Sequence, residues 1–489
     1  MPPSAAPTLD ASSLLLELDG LQRRLDRLPV PAERSAAPTP TPAPVPAVSL
    51  VPSALTFEQQ RAYSVEYQAQ IDSIALNLSR VDVDVNDERF LLSVSASMRD
   101  AELRGSGAVR GAVFEPFLSP RGTTCDLATA NDSHVQHDMR AIPHVPPAQQ
   151  RILFDKHVSE LQFPARCASA RLLLYSHWAD NGLGSELHWL QVALTAAFLL
   201  NRTLVVREDQ GWLWVDRDTC GDRTFSYLFE PLSSCEAVGR DGLVRLVAPQ
   251  TLADVPIVSP ADMAGAAARS ERVLQWQNAG GLAREVPLPF RHEWPRPVFW
   301  WRAHLCRFLF RPRRYVLALV AERKESIYGS QWRGKSRAAI HIRAGDKTHG
   351  NGIQVVEMPH ATVDAALERL NYLFSQCPFE VAFVSTRDPR SLQQLQERAS
   401  SLPYKLLFDV AQVRYGDGFH TLDLIAGHLN RTQEALQYIK DIVLMTDADF
   451  FVGAMESNVA RIVAELGSAH ERFAGPPTTL LSGTYIVWP

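Results

Sequence analysis

Residues 338–347, Ala-Ala-Ile-His-Ile-Arg-Ala-Gly-Asp-Lys, run an apolar strand straight into a histidine, two cations and a carboxylate. Side chains alternate along a strand, so His341 and Arg343 share one face while Ile340 and Ile342 point to the other. In open parallel sheets, ligands bind in the crevice beyond the carboxyl ends of the strands. A permanently charged guanidinium there, with the Lys347 ammonium four residues on, suits a phosphate or pyrophosphate. The bland reading of the same residues is a salt-bridged strand end, with Arg343 and Asp346 pairing with neighbours.

The segment resembles the His-Val-Arg-Arg-Thr-Asp-Lys signature of the core α1,6-fucosyltransferases and the related His-Ile-Arg motif of nodulation fucosyltransferases. Further blocks follow in the family's order across roughly residues 160 to 470. Asn181-Gly182-Leu183-Gly184-Ser185-Glu186-Leu187-His188, an apolar helix and Asn201-Arg202-Thr203-Leu204-Val205-Val206 look like its Gly-rich turn, helix and second strand. Trp300-Trp301 and Ile-Arg-Pro-like Phe310-Arg311-Pro312 come next, then Thr386-Arg387-Asp388-Pro389, similar to its Asp-Asp-Pro. Asp441 to Val452, with Ser457 and Arg461, resembles the end of its nucleotide-binding domain.

What this resemblance implies is an inverting transfer of L-fucose from GDP-β-L-fucose to a glycan hydroxyl, with α1,6 linkage to the core GlcNAc of N-glycans as the family's reaction. Arg343 matches the arginine that neutralises the leaving phosphate, the largest electrostatic service such a reaction needs. Ser457 matches a serine on the same phosphate and by pattern opens a helix from Ser457 to Leu466, whose N-terminus favours an anion. Arg461, one turn later, either reinforces that site or pairs with Glu465. Asp441 and His341 match guanine contacts, and Asp388 falls in a substrate-binding motif. Lys347 matches a lysine that assists the base. The family's glutamate base has no counterpart, because its position holds Asn351. Glu357, Asp346 and His349 are the local candidates, with Glu357 preferred, since a base needs only reach and a suitable pKa. Ala344 replaces a second arginine and Arg387 the first aspartate of Asp-Asp-Pro. These departures touch sugar and acceptor recognition, so a different acceptor, or a catalytically inactive GDP-sugar- or glycan-binding relative, stays open.

Asp447-Ala448-Asp449, placed after the apolar run Ile442 to Met445, also has the spacing of the D-x-D metal motif of GT-A glycosyltransferases. Against that reading, the resemblance implies a metal-independent enzyme with no cofactor beyond its donor.

The elements that must hold these residues are β-rich apolar segments alternating with longer helical ones, the pattern of βαβ units and parallel sheets. Strands are expected at Leu172 to Tyr175, Leu204 to Arg207, Ala338 to Arg343, Val381 to Ser385, Lys405 to Phe408 and Ile442 to Met445. The fold class is therefore α/β. The resemblance names it GT-B, two facing Rossmann-type domains, here 151–336 on the acceptor side and 337–489 on the nucleotide-sugar side. Ahead of them, leucines 14, 18, 21, 25 and 28 fall at coiled-coil spacing in a short helix over 1–28. That helix either pairs in a homodimer, as the family's N-terminal helices do, or docks on the body. Eight prolines between 29 and 54 read as an extended stem, and 55–150 as a helical and irregular region. No segment before Pro489 corresponds to the SH3-like domain of animal members, so acceptor recognition is expected to differ.

At 489 residues, 46% apolar and 21% charged, the composition is that of a globular protein. A net charge of −5 gives no footprint for nucleic acid, so an anionic partner is a single nucleotide in a local basic pocket. No signal peptide or membrane anchor is legible in the sequence, although the resemblance implies the Golgi lumen or secretory pathway. Sequons at Asn77, Asn131, Asn201 and Asn430 lean the same way. None of the six cysteines has zinc-site spacing. By the resemblance, Cys167 and Cys235 form a disulfide.

Overall fold

The computed structural model describes residues 148–177, 181–207, 212–216, 220, 225–235, 255–260, 263, 271–277, 282, 285–287, 290, 297–332, 334–344, 362–412, 414, 421–473 and 478–479. The expected N-terminal helix, the stem and the region up to 147 lie outside these residues, as do Asp346, Lys347, His349, Asn351 and Glu357. The described elements all belong to one compact unit, Arg110–Pro489.

Helix α1, Ala148–Gln162, leads into β1, Leu172–Tyr175. A crossover through α2, Leu183–Leu200, returns the chain to β2, Thr203–Val206. With β3, Ile257–Val258, and β4, Val273–Trp276, these strands make a fully parallel sheet in the order β2-β1-β4-β3. The expected disulfide is present: Cys167 and Cys235, 68 residues apart, fasten the entry of β1 to a cluster of Leu172, Leu174, Val205, Val255 and Val273. Cys220 and Cys306 are buried and outside any disulfide among the described residues. Helix α2 is long and apolar enough to cross a membrane by composition, but 78% of it is buried within the fold. A helix apolar on every side is the mark of a core helix as much as of a span.

Helices α3, Pro297–Leu309, and α4, Arg314–Tyr328, precede a second parallel sheet. It is built from β5, Arg337–Ile342, β6, Val381–Thr386, β7, Lys405–Phe408, β8, Phe450–Gly453, and β9, Thr478–Thr479, in the order β7-β6-β5-β8-β9. One face carries Ala338, Ile340, Ile342, Ala382 and Val384 and is covered by α5, Val363–Gln376. Leu367, Leu370 and Leu373 form that helix's apolar stripe, each contributing about 2 kcal/mol by burial. Thr362 caps it by accepting from the Ala365 N–H at 3.2 Å. Helix α4 and helix α7, Arg431–Thr446, pack on the same sheet, and the Tyr328 and Phe383 rings lie 6.3 Å apart. Helix α6, Pro389–Arg398, follows β6, and α8, Asn458–Ala469, follows β8.

The α/β class is therefore as expected, and five of the six expected strands, β1, β2, β5, β6 and β7, fall within a residue of their expected places, while β3, β4, β8 and β9 lie outside those expectations. One expectation fails. Ile442 to Met445 is not a strand but the C-terminal half of α7, and the strand comes later, at Phe450–Gly453. Those four residues are all at most 1% exposed. A helix buried on every side loses its periodic stripe, and a short apolar run then reads equally as a strand.

The two sheets are knit together by their helices. Helix α8, which follows the second sheet, packs on α2 and α3, while α4 packs on α7 and β7.

Candidate functional site

The carboxyl end of the second sheet brings together several of the residues singled out in the sequence. Register pairs His341 on β5 with Ser385 on β6. Ser385 Oγ donates to Asp441 Oδ2 at 3.0 Å, which places the α7 carboxylate on the same face as His341. Gln412 Nε2 donates to that oxygen at 2.7 Å, and Gln437 Nε2 lies 3.3 Å from Oδ1. Asp441 is therefore a pre-oriented acceptor within a helix. A guanine edge reaching it would replace an amide donor from Gln412 or Gln437. His341 is buried and Nδ1 has no hydrogen-bond partner among the described residues. Burial, helped by the Arg343 charge, pushes its pKa down to about 3. A neutral imidazole with an orphaned ring nitrogen suits a hydrogen-bonding base edge.

Arg343 is half-buried just beyond β5, with Nη1 donating to the Ala344 carbonyl at 2.9 Å. Beyond Ala344, the loop carrying Asp346, Lys347 and Glu357 lies outside the described residues. Asp388 serves as the N-cap of α6: Oδ2 accepts from the Ser391 N–H at 2.8 Å and the Ser391 hydroxyl at 2.6 Å, with Pro389 opening the helix. Its predecessor Arg387 pairs with Glu434 at 3.3 Å and lies 4.8 Å above the Tyr438 ring. Trp214 forms a T-shaped pair with that tyrosine at 5.4 Å, and its indole N–H donates to the Asn181 carbonyl at 3.0 Å. The chain after β2 is thus tied to the second sheet.

Ser457 is the N-cap residue of α8 by its backbone angles, as the pattern indicated, but its hydroxyl makes no capping bond. Gly182 stands at the same position of α2. These two helix N-termini touch. A Cβ on Gly184 would stand 2.9 Å from Asn458 Cβ and 3.1 Å from the Val459 nitrogen, a gap only glycine leaves. Further along, Gln191 meets Glu465, so the helices run parallel. Parallel contact sets two partly positive helix ends side by side, each with free N–H groups. Within α2, Glu186 balances part of that charge and takes a bond with His177 Nδ1 at 3.0 Å. Arg461, buried in the first turn of α8, donates to Asn458 Oδ1.

Asp447 and Asp449 stand at the opposite end of the sheet. Asp447 pairs with Lys324 at 2.8 Å and with Arg337 at 3.1 Å, while Asp449 Oδ2 accepts from the Arg337 backbone N–H at 2.9 Å. Because Arg337 begins β5, the D-x-D spacing belongs to the amino ends of the strands, away from His341 and Arg343.

Sequence reasoning did not single out Gln412, Gln437 or Asn458. The amides lie in a loop and on a helix flank with no motif around them. Asn458 adjoins Ser457, and the one-turn spacing of Gly184 and His188 was the signal that could have drawn attention to it.

Parallel sheets whose carboxyl ends gather a neutral histidine, a buried carboxylate, an arginine and two helix N-termini are the frame of a nucleotide-binding α/β protein. A family model described as alpha-(1,6)-fucosyltransferase N- and catalytic domains matches residues 137–475, and the chain belongs to that family. It is accordingly a glycosyltransferase of the fucosyltransferase class. Among solved structures, it is similar to a mutant of Arabidopsis thaliana FUT1 in complex with GDP at 12% identity, over 72% of this chain and 85% of that one, with a TM-score of 0.43. It is similar to POFUT1 in complex with GDP-fucose at 13% identity, over 64% and 98%, with a TM-score of 0.38.

Proposed function

We propose that the protein transfers L-fucose from GDP-β-L-fucose to a glycan hydroxyl with inversion, α1,6 to the core GlcNAc of N-glycans being the linkage the family suggests. The observation that carries the donor assignment is the contact of the α2 and α8 N-termini at Gly184 and Asn458, which concentrates free N–H groups and positive potential where a diphosphate would lie. Asp441 and His341 take the guanine edge. Ser457, Arg461 and the α2 N-terminus hold the diphosphate, and Arg343 neutralises the charge that grows on the β-phosphate as the sugar–oxygen bond breaks. The acceptor oxygen forms the new bond to the anomeric carbon, GDP leaves, and the hydroxyl proton passes to a base in the loop after Ala344, Glu357 being preferred over Asp346 and His349 and Lys347 assisting. No metal is required, since Arg343 and the helix ends supply the neutralisation. The native setting is the secretory pathway, with glycoprotein acceptors, and the heptad-spaced leucines of residues 1–28 serve self-association.

One observation favours a second reading. Asn351 stands where the family has its base and Ala344 where it has a second arginine, as they would in a relative that binds GDP-sugar without turning it over. The test is GDP release from GDP-fucose and other GDP-sugars in EDTA, with and without N-glycans and GlcNAc-terminated acceptors. Fucose-specific release that rises with one acceptor supports transfer and names the substrate. Tight GDP binding without release under any acceptor supports the inactive relative, and restoration only by manganese sinks the metal-free scheme.

A further inference from the structure

Between the parallel helices α2 and α8 lies a buried polar cluster. His188, one turn beyond Gly184, has Nδ1 2.7 Å from Asn458 Oδ1, and Arg461 donates to the same oxygen. An oxygen that accepts from a guanidinium fixes the amide's orientation, so His188 Nδ1 carries the proton and donates. Gln191 Nε2 donates to Glu465 at 2.7 Å, and the same carboxylate lies 3.5 Å from His188 Nε2 and 3.8 Å from Arg302 Nε. His188, Gln191, Arg302, Arg461 and Glu465 are all at most 3% exposed. Burial keeps His188 neutral, its pKa pushed down to about 4. Arg302 faces the Glu465 carboxylate, while Arg461 faces the Asn458 amide oxygen, beneath the helix ends.

Apolar side chains would bind two helices together as firmly. A polar cluster holds them in one register, because a slip of either helix would leave buried donors and charges without partners. The register so held is the one that sets two positive helix ends together, an arrangement that is unfavourable until an anion lies between them.

We propose that His188 is a positioning residue for the donor diphosphate: through Asn458 it fixes the first turn of α8, so that this turn and the α2 N-terminus present their N–H groups to one point. The proposal rests on the GDP-sugar reading above. It is tested by calorimetric binding of GDP and of guanosine to the full chain and to the variants H188A, N458A, H188A/N458A and H188N. H188A and N458A are each expected to weaken GDP by about tenfold, the cost of one such hydrogen bond, and to leave guanosine unchanged. The double variant is expected to be no weaker than N458A, which already removes the His188 bond together with that of Arg461. H188N, whose amide nitrogen stands near the place of Nδ1, is expected to restore GDP binding. Should H188A fail to fold, N458A carries the same comparison. Variants that bind GDP like the wild type, or that lose GDP and guanosine equally, overturn the positioning role. A wild-type chain that binds no GDP overturns the donor reading beneath it.

Discussion

Arg343 offers a guanidinium at the end of a strand that cannot shift without breaking its register with β6 and β8. Its value in the transition state should exceed its value in binding. We expect R343K to lower kcat for fucosyl transfer by at least about 100-fold, with a smaller change in KM, because an ammonium cannot reproduce the guanidinium fork. Steady-state GDP release over a range of donor concentrations reads both parameters. In the proposed scheme Asp441 serves the other end of the nucleotide. D441N keeps an oxygen for Ser385 or Gln412 but loses the charge that two guanine N–H donors would meet. We expect it to weaken GDP by about tenfold or more and to narrow the preference for GDP over ADP, which competition binding would register.

Helix packing sets where those residues stand. Gly184 lies hard against the start of α8, with Asn458 and Val459 atoms 2.9 to 3.1 Å from any added Cβ. G184A must push backbone rather than a flexible side-chain end, so a loss of about 1–3 kcal/mol in stability is expected, the usual cost of overpacking. Denaturant unfolding measures it, and GDP affinity should fall with it, because the same contact aligns the two helix ends. How far such elements were legible depended on local signals. Thr362, Asp388 and Asn430 each precede a helix and each caps it by accepting a backbone N–H. Ile442 to Met445 had no such punctuation and misled. Its neighbours Asp447 and Asp449 then took on a false likeness to a metal motif at a strand end, whereas they anchor Arg337 at the start of β5.

Across the whole molecule, buried histidines make stability depend on pH. Burial holds His188 at about 4 and His341 at about 3, and His304 well below its ordinary value. Between pH 6.5 and about 4 the unfolded chain protonates His188 and His341 and the folded chain does not. Stability is therefore full above about 6.5 and declines with acid, by up to about 1.4 kcal/mol per pH unit for each group. Urea unfolding at pH 7 and pH 5 should show that fall, and H341N should shrink it. Asp409 adds a more acidic step. Burial alone would raise its carboxyl, but hydrogen bonds from Arg323 and Lys440 outweigh that and hold it well below the usual range. Its contribution is lost only as pH drops below about 4. By itself the sequence determined the α/β class, the five strands β1, β2, β5, β6 and β7, the Cys167–Cys235 bond and the cluster of His341 and Arg343, because each depends on neighbours in the chain or on a motif of fixed order. Tertiary structure alone decided that Gly184 meets Asn458, that His188 reaches across to it, and that Gln412 orients Asp441. Those contacts join residues 29 to 274 positions apart, and no local pattern encodes which distant side chain will fill a gap that packing leaves.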